Sequence, residues 1–143
     1  MNARLLLVDD EAGFVETLAQ RLTSRDYLVS IALSGKEALH CLERDPHLDV
    51  VILDVKMPGM DGIETLKHIK SQWPLVEVLM LTGHATVDSA IEGMRLGAYD
   101  YLMKPCDIEI LLAKINEATS KKRAHEERIA AARAQEIALR RGD

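Results

Sequence analysis

The chain has 143 residues, enough for one domain with a single buried core and a short extension. Nearly half of the residues are apolar and 29% are charged, with one Trp, one Phe and three Tyr, which describes an ordinary soluble domain with an aliphatic core. The net charge of −5 divides into −8 over residues 1–120 and +3 over residues 121–143; the acidic body argues against direct nucleic-acid binding, and no apolar run approaches a transmembrane length, so no membrane partner is expected.

In chain order, Leu5-Leu6-Leu7-Val8 is a short apolar run that ends in Asp9-Asp10-Glu11. Phe14, Val15, Leu18 and Leu22 then recur at helical spacing. Tyr27 to Ala32 reads as a strand. Ser34-Gly35-Lys36-Glu37 carries a capping-box signature for a helix through Ala38, Leu39 and Leu42, closed by Pro46. Asp49 to Asp54 is a buried strand ending in an acid, and Met57-Pro58-Gly59-Met60 is a loop. Asp61, with Glu64 three residues on, caps the next helix.

Val76 to Leu81 is a strand ending at Thr82-Gly83, and Thr86 to Arg95 is a helix stopped by Gly97. Tyr99 to Met103 is a fifth strand, ended by Lys104-Pro105, and the last helix starts near Asp107. Apolar strands without polar alternation indicate burial on both faces. Five strand-then-helix units with short connections indicate a parallel, doubly wound α/β sheet. From Lys121 the chain is rich in Ala, Arg and Glu without Pro or Gly, so it extends the last helix. A heptad register through Ile115 and Ile129 places Lys122 and Glu136 in seam positions, which argues against a strong self-standing coiled coil. The expected division is a domain over 1–120 and a helical extension or linker over 121–143.

Cys41 and Cys106 have no metal-ligand spacing, and no secretory pattern opens the chain, so a reducing, cytoplasmic setting is expected. Ligands of open α/β sheets bind outside the carboxyl ends of the strands. Asp9, Asp10, Asp54, Thr82 and Lys104 each follow an apolar strand, so one rim would gather three carboxylates, a hydroxyl and an ammonium. Like charges about 4 Å apart repel by roughly 4 kcal/mol at an effective dielectric near 20. A hard divalent cation such as Mg²⁺ would offset this. A carboxylate can carry a phosphoryl group, with Lys and Thr contacting its other oxygens. Taken singly, Asp9 and Asp10 could also be helix caps, Thr82 a strand-end hydroxyl and Tyr101 a half-buried strand residue.

Over residues 3 to about 120 the sequence resembles the receiver (phosphoacceptor) domain of two-component response regulators. The resemblance rests on Leu7-Val8-Asp9-Asp10-Glu11, on Leu53-Asp54 through Met57-Pro58-Gly59-Met60-Asp61-Gly62, on Leu81-Thr82-Gly83-His84, and on Gly97-Ala98-Tyr99-Asp100-Tyr101-Leu102-Met103-Lys104-Pro105. It implies a flavodoxin-like fold with strand order 2-1-3-4-5. It implies that Asp54 accepts a phosphoryl group from a sensor histidine kinase or phosphotransfer protein. Asp10 and Asp54 would ligate Mg²⁺ with the backbone carbonyl of Lys56, and Asp9 would act through water. Lys104 would pair with the phosphoryl group, Thr82 would turn toward it, and Tyr101 would follow inward. The Lys104-Pro105 bond is of a kind usually cis in this family. The surface of the fourth helix, fifth strand and fifth helix would then signal to a downstream protein or a fused output domain. The helical tail could also support a homodimer.

Two enzyme classes fit less well. A haloacid dehalogenase wants a second Asp two residues after the nucleophile, where this chain has Lys56. The Gly35-Lys36 pair lacks the rest of a phosphate-binding loop, since Ser30 and Glu37 stand where Gly and Ser/Thr are needed. The remaining alternative is a receiver-like interaction module that is never phosphorylated, whose mark would be loss of an acid, the Thr or the Lys. Lys56 and His84 occupy positions that influence phosphoryl lifetime in the family. His40 and His68 are expected on helix surfaces.

Overall fold

The computed structural model describes residues 3–84 and 86–142, so Asp143, the last residue of the expected extension, lies outside it. Strands and helices alternate: β1 (Arg4–Val8), α1 (Ala12–Thr23), β2 (Leu28–Ala32), α2 (Gly35–Arg44), β3 (Val50–Leu53), α3 (Gly62–Gln72), β4 (Glu77–Thr82), α4 (Val87–Arg95), β5 (Asp100–Met103) and α5 (Ile108–Arg140). Every strand pair is parallel and the order is β2-β1-β3-β4-β5. The expected flavodoxin-like sheet is therefore present.

Side-chain alternation along the strands sorts the core into two layers. Leu5 and Leu7 of β1 join Val50, Ile52, Leu79 and Leu81 under α1 and α5, where Val15, Leu18, Leu22, Leu111 and Ile115 meet them. Leu6 and Val8 point to the opposite face with Val51, Leu53, Val78 and Met80, covered by Ala38 and Leu42 of α2 and Leu66 and Ile69 of α3. The central strands β1, β3 and β4 are almost wholly buried, as their apolar runs require. The edge strands β2 and β5 are not, since each has a partner on one side only.

Helix starts follow local chemistry. Asp61 accepts the Glu64 N–H at 2.9 Å. Ser34 accepts the Glu37 N–H, but the Glu37 carboxylate reaches the Leu33 N–H, so the expected box closes on one side only. A closed box occurs instead between Thr86 and Ser89, so Thr86 precedes α4 rather than belonging to it. Gly62 fixes where α3 begins: its N–H donates to the Val55 carbonyl at 2.7 Å, and a Cβ there would fall 2.0 Å from the Asp54 carbonyl oxygen. Only glycine lets α3 start this close to the end of β3.

The sheet edge opposite the strands' carboxyl ends buries two acids. Asp49 receives the Arg4 N–H at 2.9 Å, the Lys122 ammonium at 3.1 Å and the Arg123 guanidinium at 3.4 Å. Glu77 faces Lys70 at 3.5 Å and Lys121 at 3.3 Å. Lys122 is thus buried against the domain, and α5 runs through position 120 without a break. Beyond Glu126 the helix is mostly exposed. Removing one partner of a buried pair leaves the other charge poorly compensated. Lys122→Ala should lower stability by about 2 kcal/mol, less than a full pair because Arg123 remains. Arg140→Ala, which breaks an exposed pair with Glu136, should stay within about 0.5 kcal/mol. Urea unfolding of both variants checks this, and equal effects would assign Lys122 no special anchoring role.

Candidate functional site

The carboxyl-end rim is built by strand register. Val8 lies beside Leu53 and Ala32, so Asp9 and Asp54 emerge next to each other; the Asp9 N–H donates to the Ala32 carbonyl and the Asp54 N–H to the Val8 carbonyl. Thr82 ends β4, and the Lys104 N–H donates to the Thr82 carbonyl at 2.9 Å. The peptide bond from Lys104 to Pro105 is cis.

Lys104 is the centre of the arrangement. Its ammonium lies 2.6 Å from Asp9 Oδ2, 3.3 Å from Glu11 Oε1 and 3.9 Å from Asp54 Oδ2. The face of Phe14, from α1, sits 4.1 Å from the same nitrogen. Burial alone would lower the Lys104 pKa, but its carboxylate neighbours hold it above its ordinary value. Asp54 is 2% exposed. Burial pushes its carboxyl up and the Asp9 charge adds to this, while the Thr82 hydroxyl, the Lys104 ammonium and the Val55 N–H pull the other way without cancelling the rise.

Among the described residues, the acidic groups close enough to share an ion are Asp9, Glu11 and Asp54, whose ligand atoms lie within 4.8 Å of one another. Asp10 is not in that trio. It is exposed and lines a shallow depression with Glu11, Asp54, Lys56 and His84. Glu11 is not singled out by the sequence pattern. It comes into place because its N–H donates to Asp9 Oδ1 at 2.9 Å, turning the chain back over the rim. An Asp-Asp-Glu run at a strand end is the signal for it. All three groups are hard oxygen donors, which fits Mg²⁺ better than a thiophilic metal.

Thr82 is fully buried, and its hydroxyl accepts the His84 N–H at 3.0 Å. Tyr101 is half-buried and its hydroxyl lies 2.7 Å from Ser89 Oγ. Cys41 and Cys106 are free and far apart in the two layers, and His40 and His68 are exposed on helices. No described helix is long and apolar enough to cross a membrane.

The fold and rim together define an open α/β module with an acidic, lysine-bridged pocket at its strand ends. The family model described as the response regulator receiver domain matches residues 5–116. The chain belongs to that family, a family of two-component signalling domains. It is 40% identical over 117 residues to the transcriptional regulatory protein ZraR of Escherichia coli (strain K12), covering 82% of this chain and 26% of that protein. It is 40% identical over 108 residues to the regulatory protein AtoC of the same strain, covering 76% of this chain and 23% of that one. The chain thus spans about a quarter of the length of these curated relatives. A CheY-like receiver domain from Methanospirillum hungatei JF-1 superposes with a TM-score of 0.83 at 30% identity, over 87% of this chain and 99% of the other.

A carboxyl whose pKa is raised on folding is disfavoured in its ionised form. Stability is then lost as pH rises from the unfolded value through the raised folded value. Asp54→Asn removes that charge, so its urea midpoint should exceed the parent's at pH 7 in metal-free buffer. The gap should narrow below about pH 4, where both side chains are neutral. A lower midpoint for the variant at pH 7 would mean that pairing with Lys104 outweighs burial.

Proposed function

We propose that this chain is a phosphorylated receiver. It takes a phosphoryl group from a phosphohistidine of a sensor histidine kinase or phosphotransfer protein onto Asp54. The observation that carries the proposal is the setting of Asp54: a buried strand-end carboxylate beside a lysine bridge, with a hydroxyl from the next strand at hand. A carboxylate oxygen of Asp54 attacks phosphorus, the phosphorus–nitrogen bond breaks, and the donor imidazole leaves with the bonding pair. Asp54 Oδ1 is held by the Val55 N–H at 2.8 Å, which fixes the carboxylate plane. When bound, Mg²⁺ supplies positive charge against the rim carboxylates and the phosphoryl oxygens. The residues that would hold it are Asp10 and Asp54 with the Lys56 carbonyl, and Asp9 through water; Glu11 is close enough to join them.

Lys104 is shared between Asp9 and Glu11 in the unmodified protein and lies farther from Asp54. A phosphoryl group on Asp54 offers it a new partner. The Thr82 hydroxyl, which holds the His84 N–H, would turn to the same oxygens, and Tyr101 would respond. Neither group needs a new fold; the added charge biases states already available. The surface that would change carries exposed apolar residues: Val87, Ile91 and Met94 on α4, Met103 on β5 and Ile110 on α5. Such a patch suits a downstream protein, a second copy, or an output domain in a longer chain. The likeness to ZraR, a transcriptional regulatory protein, favours an output domain in transcription.

Intact mass after incubation with acetyl phosphate tests the proposal. One phosphoryl adduct should form with Mg²⁺, little without it, and none in Asp54→Asn. Thr82→Ala should still form the adduct but lose most of the response at the α4–β5–α5 surface. No adduct from acetyl phosphate or from a phosphorylated histidine kinase would make the domain a fixed binding surface instead.

A further inference from the structure

Asp54 directly follows β3 and Tyr101 lies on β5, and Ser89 at the start of α4 touches the Tyr101 hydroxyl. Thr82 Oγ1 anchors the N–H of His84. Two residues on, Thr86 opens α4: its hydroxyl accepts the Ser89 N–H at 3.0 Å, and its own N–H donates to Ser89 Oγ at 3.1 Å. Ser89 Oγ also lies 3.1 Å from the Thr86 carbonyl oxygen and 2.7 Å from the Tyr101 hydroxyl. A serine hydroxyl has one proton to give and two lone pairs. Giving its proton to the Thr86 carbonyl leaves those lone pairs for the Thr86 N–H and for the Tyr101 hydroxyl, which shares its place with the Thr86 hydroxyl 3.0 Å away, so the group is fully used. One turn further, Gly93 presents bare backbone to the same ring; a Cβ there would lie 3.5 Å from a Tyr101 ring carbon. Ser89 and Gly93 share a helix face at i and i+4 and form the seat of the tyrosine.

We propose that Ser89 is the positioning residue for Tyr101, joining its hydroxyl to the capping box of α4 so that the ring position and the first turn of α4 change together. Neither partner can leave without costing the other a bond. A displacement of Thr86 reaches Tyr101 through Ser89. This consequence for signalling rests on the function proposed above; the link between Ser89 and Tyr101 does not. An ordinary capping serine would hold α4 equally well with or without the tyrosine hydroxyl, and that difference is measurable.

The experiment uses the full chain, unphosphorylated, with amide hydrogen exchange in the first turn of α4 and fluorine NMR of protein labelled with 3-fluorotyrosine. Tyr101→Phe removes only the hydroxyl. It should speed exchange at the start of α4 by about five-fold, the effect of one net hydrogen bond. Ser89→Ala should move the Tyr101 resonance and leave those of Tyr27 and Tyr99 in place, and Ser89→Thr should restore it. The double variant should exchange no faster than Ser89→Ala alone, since both changes remove the same bond. Unchanged exchange in Tyr101→Phe, or an unmoved Tyr101 resonance in Ser89→Ala, would overturn the proposal. A second arm repeats both measurements after acetyl phosphate and Mg²⁺. There the parent should shift both signals together, while Ser89→Ala should shift them separately. Absence of any phosphoryl adduct in the parent would count against the proposed function, and the first arm would still decide the role of Ser89.

Discussion

One ammonium among three carboxylates governs the upper rim of this domain. Lys104 bridges Asp9 and Glu11 closely and Asp54 more distantly. Its place is set by a backbone bond to Thr82 and by the Phe14 ring beneath it, so it cannot drift far from the acids. A single positive charge does not balance three negative ones in a partly dry site. Burial raises the pKa of Asp54, and the Asp9 charge adds to this, beyond what the stabilising contacts cancel. A pocket in this condition has a standing use for a dication. A cation there would offset the negative charge that burial makes costly.

The opposite edge of the sheet makes a useful contrast. Asp49 and Glu77 are as deeply buried as Asp9 and Asp54. Yet Lys70, Lys121, Lys122 and Arg123 surround them, so those acids are matched by cations of the chain itself. Buried acids therefore occur at both ends of the strands, and burial alone does not mark a site. Charge balance separates the two: the matched edge anchors α5, and the unmatched edge is left able to take a ligand. Asp9, Asp54, Thr82 and Lys104 lie at or just beyond a strand end, where backbone bonds fix their direction before any side-chain contact forms. That rigidity keeps the deficit in place rather than letting the acids turn out to water.

Much of this was legible in the sequence because it is written in short-range pattern. Apolar runs that stop at Asp9, Asp54, Thr82 and Lys104 declare both the strands and the rim. Asp61 and Ser34 announce helix starts by residue type. Boundaries differ by a residue or so where a cap or a lone pairing bond borders an element, as at Thr86 and at Tyr99, whose N–H donates to the Val78 carbonyl just ahead of β5. What stayed hidden depends on azimuth and on distant partners. Lys122 reads as a polar break in a heptad seam, yet it is buried because Asp49 waits for it 73 residues away in sequence. Phe14 reads as core, and its second role under Lys104 needs the α1 phase to be known. The capping box at Thr86 escapes the usual pattern because Ser89, rather than Glu or Gln, closes it.

These two edges are joined by one element. Helix α5 is capped by Asp107, three residues after Lys104, and is pinned at Lys122 to the far side of the sheet. Fourteen residues separate Ile108 from Lys122, about 21 Å of helix at 1.5 Å per residue. Leu111, Ile115 and Ala118 bury the intervening face against the sheet. The helix then continues to Arg140 with no Pro or Gly to bend it. A continuous helix held along its first half and anchored at mid-length would carry a tilt of the held part into the free part about the Asp49 anchor. Loosening of that anchor would let the free part swing independently of the sheet. The ion pairs of Asp49 with Lys122 and Arg123 thus tie the mid-length of α5 to the sheet edge opposite Lys104.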